Sequence, residues 1–291
     1  MKDTKQLNSR MDGTTICPIC GCHQFALLYS LDKGALATCQ ECSLVSFFPV
    51  PSAEEVQAFY DNGYHDGYSQ SSMAESGFAV GRYKALAQML EIHQPTLCRK
   101  PQRSLLDVGC GTGDFLKIAQ QAGWLAMGTE ISQDAVNRAV SKVGNCIRQG
   151  DITVLSLPSA AYDLITSYHV IEHLLNPLEQ LQECHRLLAP NGVFFVETPN
   201  IKSLGAKIRG AKWSHIIPPE HLLYFSPASL KYALHKAGFE QVLVFTSAPK
   251  TIVSTQRWPA PLQSLARQVY NLAPRFQMGA ALQALAFKPA Q

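Results

Sequence analysis

The chain has 291 residues, 46% hydrophobic and 16% charged, which is enough apolar material for one large domain or a domain with a small appendage. Its formal net charge of +3 is too small to argue for nucleic acid as a partner. No run of 18 apolar residues exists, and the polar first fifteen residues lack the apolar centre of a signal peptide. The expectation is a cytoplasmic protein with no membrane partner and with its nine cysteines mostly reduced.

Residues 1–15 read as a disordered tail. Next come two Cys-x-x-Cys knuckles, Cys17-Pro-Ile-Cys20 and Cys39-Gln-Glu-Cys42, with eighteen residues between them. Four thiolates in two such pairs can close a tetrahedral shell around Zn2+, and the spacing is that of a zinc ribbon. With protein at all four positions, none is left for water, so the expected zinc is structural. Cys22 and His23 lie close by and are left out of the ligand set. Lys33 is the only basic residue in 17–42, which argues against RNA and for a ribbon over 16–50 that braces its neighbour or helps to wall a pocket.

Residues 51–103 read as a helical lid or cap. Ser52-Ala-Glu-Glu55 is a capping box opening a helix through about Tyr60. The stretch Tyr60 to Tyr68 carries three tyrosines and two glycines. It is either a loop packed on the body or a lid whose ring meets a cationic ligand. A longer helix is expected over Met73 to His93, followed by a linker.

At Ser104 the pattern changes. Leu105-Leu-Asp107-Val108 runs into Gly109, Cys110, Gly111, Thr112 and Gly113, and the apolar residues of Asp114 to Ala122 recur at helical spacing. This is a strand, a glycine turn and a helix, in which the backbone can approach a ligand closely. Asp107 inside the turn would repel a diphosphate and welcome a cationic amino-acid group. Glu130 closes the next apolar run, where an acid can grip ribose hydroxyls. Strands are expected at 104–109, 124–129, 145–148, 162–167, 192–197 and 241–246, alternating with helices as a parallel sheet requires. Residues 251–278 read as weakly patterned helix.

Asp107-Val-Gly-Cys-Gly-Thr-Gly113 resembles the first motif of the class I S-adenosylmethionine (SAM)-dependent methyltransferases. With the two knuckles and the following Pro-Val-Pro and Phe-Tyr-Asp segments, the chain is similar to bacterial small-molecule methyltransferases with an N-terminal zinc ribbon, sugar C-methyltransferases among them. Those sugar enzymes carry an added C-terminal domain for which this chain has no room. The resemblance implies an α/β fold, a Rossmann-like seven-stranded methyltransferase sheet over 104–291, with Ala280 to Phe287 as its last strand. It implies SAM as cofactor, with Asp107, Gly109, Cys110, Gly111 and Gly113 at the methionine end. It places Glu130 on the ribose, Ile131 against the adenine, Asp151 near the adenine amine and Tyr168 in the pocket wall.

Two histidine segments and a basic insertion carry the remaining chemistry. His169-Val-Ile-Glu172-His173 fits an inverted zincin pattern, so a zinc hydrolase is a remote alternative. The same segment is similar to the Glu-x-x-Glu-His of ubiquinone-pathway O-methyltransferases, with His169 replacing the first glutamate. Within the insertion 200–226, Lys202, Lys207, Arg209 and Lys212 form either a solvated face or an attractor for a nucleotide- or carrier-linked acceptor. His221 beside Glu220 suits a general base and its assistant, with His169 as the second candidate. The expected function is C- or O-methylation of a sugar or natural-product intermediate. The alternatives are a quinone-type O-methyltransferase or a binding module that kept the fold without catalysis.

Overall fold

The computed structural model describes residues 16–61, 72–248 and 260–290. The 1–15 tail and most of the tyrosine-rich stretch, including Tyr64 and Tyr68, lie outside the described residues, as does the start of the 251–278 segment.

Three antiparallel strands follow the first knuckle: β1 (Phe25–Leu31), β2 (Gly34–Cys39) and β3 (Val45–Phe48). Helices Ala53–Asp61 and Ser72–His93 and a single helical turn, Pro95–Cys98, lead to the main sheet. The first starts on the expected capping box: Glu55 N–H donates to Ser52 Oγ at 3.2 Å, and Ser52 N–H to Glu55 Oε2 at 2.8 Å.

The main sheet begins with β4 (Arg103–Val108), β5 (Trp124–Glu130), β6 (Ile147–Gln149), β7 (Tyr162–Tyr168) and β8 (Leu188–Pro199). These five pair in parallel, and helices Asp114–Gln121, Gln133–Val143 and Pro177–Leu187 lie in the crossovers. A two-residue strand, β9 (Leu223–Tyr224), follows the insertion. Then β10 (Gln241–Ser247) and β11 (Ala281–Phe287) complete seven strands in the order β10-β11-β8-β7-β4-β5-β6, with β11 antiparallel to both neighbours. All six expected strands form, and Ala281–Phe287 is the last strand of the sheet rather than a helix. The order reverses at β4, and the crevice beside the carboxyl end of such a strand is where an open α/β sheet binds ligands.

β9 does not join the main sheet. It pairs antiparallel with β3, Val45 opposite Tyr224 and Ser46 opposite Leu223, giving a second sheet ordered β1-β2-β3-β9. The N-terminal strands are therefore closed by a strand from the far end of the insertion. One apolar cluster runs through both, from Cys17, Ile19 and Leu44 to Ile171, Trp213, Leu222 and Phe225. Burying each such large side chain contributes roughly 1.5–3 kcal/mol, far more than the two-residue ladder of β9 alone. Tyr232 Oη, on helix Pro227–Lys236, adds a hydrogen bond to Glu41 in the second knuckle at 3.2 Å. Ser226 caps that helix, accepting from Ser229 N–H at 3.1 Å, and Pro227 occupies its first turn.

Candidate active site

The site is built on the turn after β4. Gly109, Gly111 and Gly113 all have positive φ, at 70°, 53° and 79°. A Cβ on Gly109 would stand 2.4 Å from Val170 Cγ2, and one on Gly113 would stand 3.1 Å from Ala139 Cβ, so these two glycines serve packing. A Cβ on Gly111 would meet nothing within 4 Å, which leaves an open cradle at the middle of the turn.

Glu130, at the end of β5, ties this turn down. Its Oε2 accepts from Gly111 N–H and its Oε1 from Ser132 N–H, each at 2.9 Å. Asp107 lies beneath, buried, and accepts from Thr166 Oγ1 at 2.6 Å. Burial pushes its carboxyl up to about 7, against the pull of that hydrogen bond. The Sγ of Cys110 packs where Gly128 lacks a Cβ, 2.7 Å from the place such an atom would take. Ile131 is about half exposed just past β5, and Asp151 folds back to accept from Thr153 N–H and Oγ1, both at 2.8 Å.

Beyond β7 the chain gathers charges that the sequence pattern did not pair. Tyr168 is buried, with its ring against Phe115 and Phe195 and the Arg82 guanidinium 4.6 Å from its centre. Among the described residues its hydroxyl has no hydrogen-bond partner, and neither does Arg82 Nε. Glu197, opposite Tyr168 in β8, collects Gln283 Nε2 at 2.6 Å, Arg82 Nη2 at 3.4 Å and His169 Nε2 at 3.4 Å. His169 sits at φ 56°, which turns its Nδ1 to Glu172 Oε1 at 3.0 Å. Burial alone would lower the His169 imidazole, but hydrogen bonds to Glu172 and Glu197 outweigh it and raise it to about 9. Both acids are correspondingly held down to about 2, although burial opposes this.

This geometry corrects two expectations. Residues 171–173 form a single 3-10 turn, not a helix presenting His169 and His173 on one face. His169 turns to two carboxylates, whereas His173 Nδ1 meets the Glu220 carbonyl at 2.8 Å and its ring packs edge-on against His221. The grip required by the zinc-hydrolase alternative is absent. A cationic His169 is also no general base at neutral pH.

His221 lies two residues before β9 and is buried, its Nδ1 bonded to the His215 carbonyl at 2.9 Å. Burial, then the neighbouring His173, lowers it to about 4, so it is neutral at pH 7. The carboxylate gathered with His173 and His221 is that of Glu172, the three donor atoms lying within 4.8 Å of one another. Sequence adjacency pointed instead to Glu220. Arg82 and Thr166 were not among the site residues expected from the sequence, and Glu172 entered only through the His-x-x-Glu-His pattern. Arg82 lies within helix Ser72–His93 and Thr166 within β7, where no local pattern marks them.

At the other end, Sγ of Cys17 lies 3.4 Å from that of Cys42, and Sγ of Cys20 lies 3.5 Å from that of Cys39. The four sulfurs all fall within 4.8 Å of one another, and none is in a disulfide.

An open α/β sheet in this order, with an acid and a glycine cradle at its switch point, defines a Rossmann-like class I methyltransferase fold. Residues 82–244, more than half of the chain, match the family described as methyltransferase domain, and the chain belongs to that family. It is similar to an S-adenosylmethionine-dependent methyltransferase of Mycolicibacterium smegmatis, 30% identical over 169 residues, covering 58% of this chain and 62% of that protein. It is also similar to the ubiquinone biosynthesis O-methyltransferase of Haemophilus ducreyi, 29% identical over 154 residues, covering 47% and 65%. Less than two thirds of either relative is spanned. Among solved structures, a SAM-dependent methyltransferase from Archaeoglobus fulgidus shares the fold with a TM-score of 0.52 at 23% identity, covering 70% of this chain and 94% of that one.

Proposed function

We propose that this protein transfers the methyl group of SAM to a small-molecule acceptor, with C- or O-methylation of a sugar or natural-product intermediate as the leading reaction. The observation that carries this is the open space at Gly111, whose N–H is held by Glu130, in the turn that follows the strand bearing the buried Asp107. A carboxylate held near neutrality by burial gains most from a cationic partner, and the ammonium of SAM is one. Ile131 would lie against the adenine and Asp151 near its amine. Glu130 would take the ribose with its remaining acceptor capacity.

Methyl transfer breaks the sulfur–methyl bond in line with formation of the new bond, leaving S-adenosylhomocysteine and, for most acceptors, a proton to remove. In this reading His221 takes that proton, since it is neutral at pH 7 while His169 is not. With Nδ1 committed to the His215 carbonyl, Nε2 is the nitrogen left for the proton. Glu172 balances the charge that His221 would acquire, in the role the sequence had suggested for Glu220. The clamped His169–Glu197–Arg82 network shapes the acceptor side.

A second reading, a quinone-type O-methyltransferase, is favoured by the ubiquinone-pathway relatives. The four thiolates fit a structural Zn2+, because a tetrahedron with zinc–sulfur bonds of about 2.3 Å spaces its sulfurs by about 3.8 Å. Calorimetric titration with SAM and S-adenosylhomocysteine, repeated on Asp107→Ala, tests the proposal. Micromolar binding abolished by the substitution, followed by acceptor screening by product mass, would support it. A folded protein that binds neither ligand would refute it.

A further inference from the structure

The net charge of +3 averages two unequal parts. Residues 198–291 hold eleven of the 25 Lys and Arg but only two of the 22 Asp and Glu, namely Glu220 and Glu240. From residue 241 onward there is no acid at all, and there is none in 198–219. The last third of the chain is thus strongly positive and the first two thirds negative.

The fold brings these acid-free stretches together. Leu204 N–H donates to the Met278 carbonyl at 2.9 Å, and Asn200 Nδ2 to the Gln277 and Gly279 carbonyls at 3.1 and 2.9 Å. Helix Leu204–Arg209 is therefore a hydrogen-bonded neighbour of the turn that follows helix Ala260–Leu272. Both present unburied apolar side chains. Leu262, Leu265, Val269 and Leu272 recur at helical spacing along one stripe, and Phe276 and Ile208 are 74% and 67% exposed. Lys207, Arg267 and Arg275 are exposed among them.

Three kinds of partner compete for such a face. A second copy would set one acid-free basic surface against another, and like charges facing each other oppose association. Nucleic acid would satisfy the charge and leave the leucine stripe in water. An anionic bilayer satisfies both, with apolar side chains entering the headgroup boundary while lysine and arginine meet the phosphates. We propose that helix Ala260–Leu272, Phe276 and helix Leu204–Arg209 form a docking surface for an anionic membrane. The absence of a spanning helix among the described residues is no obstacle, since a surface contact needs none. Because Ala281 pairs with Pro199, this surface stands beyond the carboxyl end of β8, on the sheet edge that carries the candidate site.

Flotation of the full chain with vesicles of phosphatidylcholine containing about 30% phosphatidylglycerol tests this, against pure phosphatidylcholine as the control. The expected result is binding to the anionic vesicles alone, weakened in about 0.5 M NaCl. Leu265→Glu with Val269→Glu should abolish it. Arg267→Glu with Arg275→Glu should weaken it by at least about twentyfold, at about fivefold for each charge lost. Both variants are checked for unchanged circular dichroism and melting temperature, which exposed positions allow. Absence of flotation overturns the proposal, as does flotation that neither variant reduces. Self-association in the ultracentrifuge that Leu265→Glu abolishes, without vesicle binding, assigns the face to a second copy. Duplex DNA binding that ignores the leucine substitution, without vesicle binding, assigns it to nucleic acid. Either of these results overturns the proposal too.

Discussion

Thr166 Oγ1 donates to Asp107 Oδ1 at 2.6 Å between two adjacent parallel strands, with the two residues directly opposite in register. This one contact links the central strand to its neighbour at the point where the glycine turn begins. It also restrains a carboxyl that burial has already pushed up to about 7.

The pH dependence of ligand binding follows from that pair. An acid raised in the folded state keeps its proton until pH approaches 7, and only the ionised form attracts an ammonium group. Affinity for S-adenosylhomocysteine should therefore fall about tenfold per pH unit below about 7 and level off above it. Thr166→Val removes a stabiliser of the charged form and should move the midpoint up by about one unit. Calorimetry from pH 5.5 to about 9 on both proteins checks this, and pH-independent affinity in the parent would refute it. For stability alone the sign is opposite. The raised Asp107 contributes most below its unfolded value of 3.8, and that contribution fades as pH climbs through 7.

Two glycines in the same turn should fail in different ways. Gly109→Ala combines a left-handed backbone with a 2.4 Å approach to Val170, so it should cost about 2–5 kcal/mol of stability. Gly111→Ala meets no neighbour and should cost about 1–2 kcal/mol, from backbone strain alone. Its methyl occupies the cradle, however, and should weaken S-adenosylhomocysteine binding by about tenfold or more. Urea denaturation and calorimetry on the two variants separate these effects. Equal loss of stability in both would mean that Gly111 serves packing as well.

His169 and His221 should titrate at opposite ends of the accessible range. Heteronuclear imidazole spectra should show His169 losing its proton near 9 and His221 remaining neutral above about 5. The raised His169 stabilises the fold fully below about 6.5, and that contribution is lost as pH rises through 9. Glu197→Gln removes one of its two carboxylate partners and should lower the His169 midpoint. An unchanged midpoint would mean that Glu172 alone holds the charge.

Metal removal should reach the active site through β9. One zinc per chain is expected by elemental analysis, and stripping it, or Cys39→Ser, should lower the melting temperature. Because β3 is hydrogen-bonded to the strand that follows His221, amide exchange at 221–226 should accelerate as well. A protein with no zinc as purified and normal protection there would remove the metal from the picture. Two zinc ions per chain would direct attention to Glu172, His173 and His221.

What the sequence determined by itself was local. The capping box at Ser52, the glycine turn after β4, the paired knuckles and the run of strands each depend on residues a few positions apart, where periodicity and backbone preference decide the outcome. Tertiary structure decided everything that depends on which strand ends become neighbours. The pattern His169 to His173 predicts a shared helical face, yet a left-handed turn at His169 sends its ring to Glu197, 28 residues away in sequence, and leaves His173 to His221. The carboxylate that packing gathers within 4.8 Å of the His173 and His221 ring nitrogens is that of Glu172, on the turn after β7 and 49 residues from His221 in sequence. Charge behaved in the same way. Summed along the chain it says little, but the fold places two acid-free stretches side by side, and electrostatic attraction depends on distance in space rather than separation in sequence.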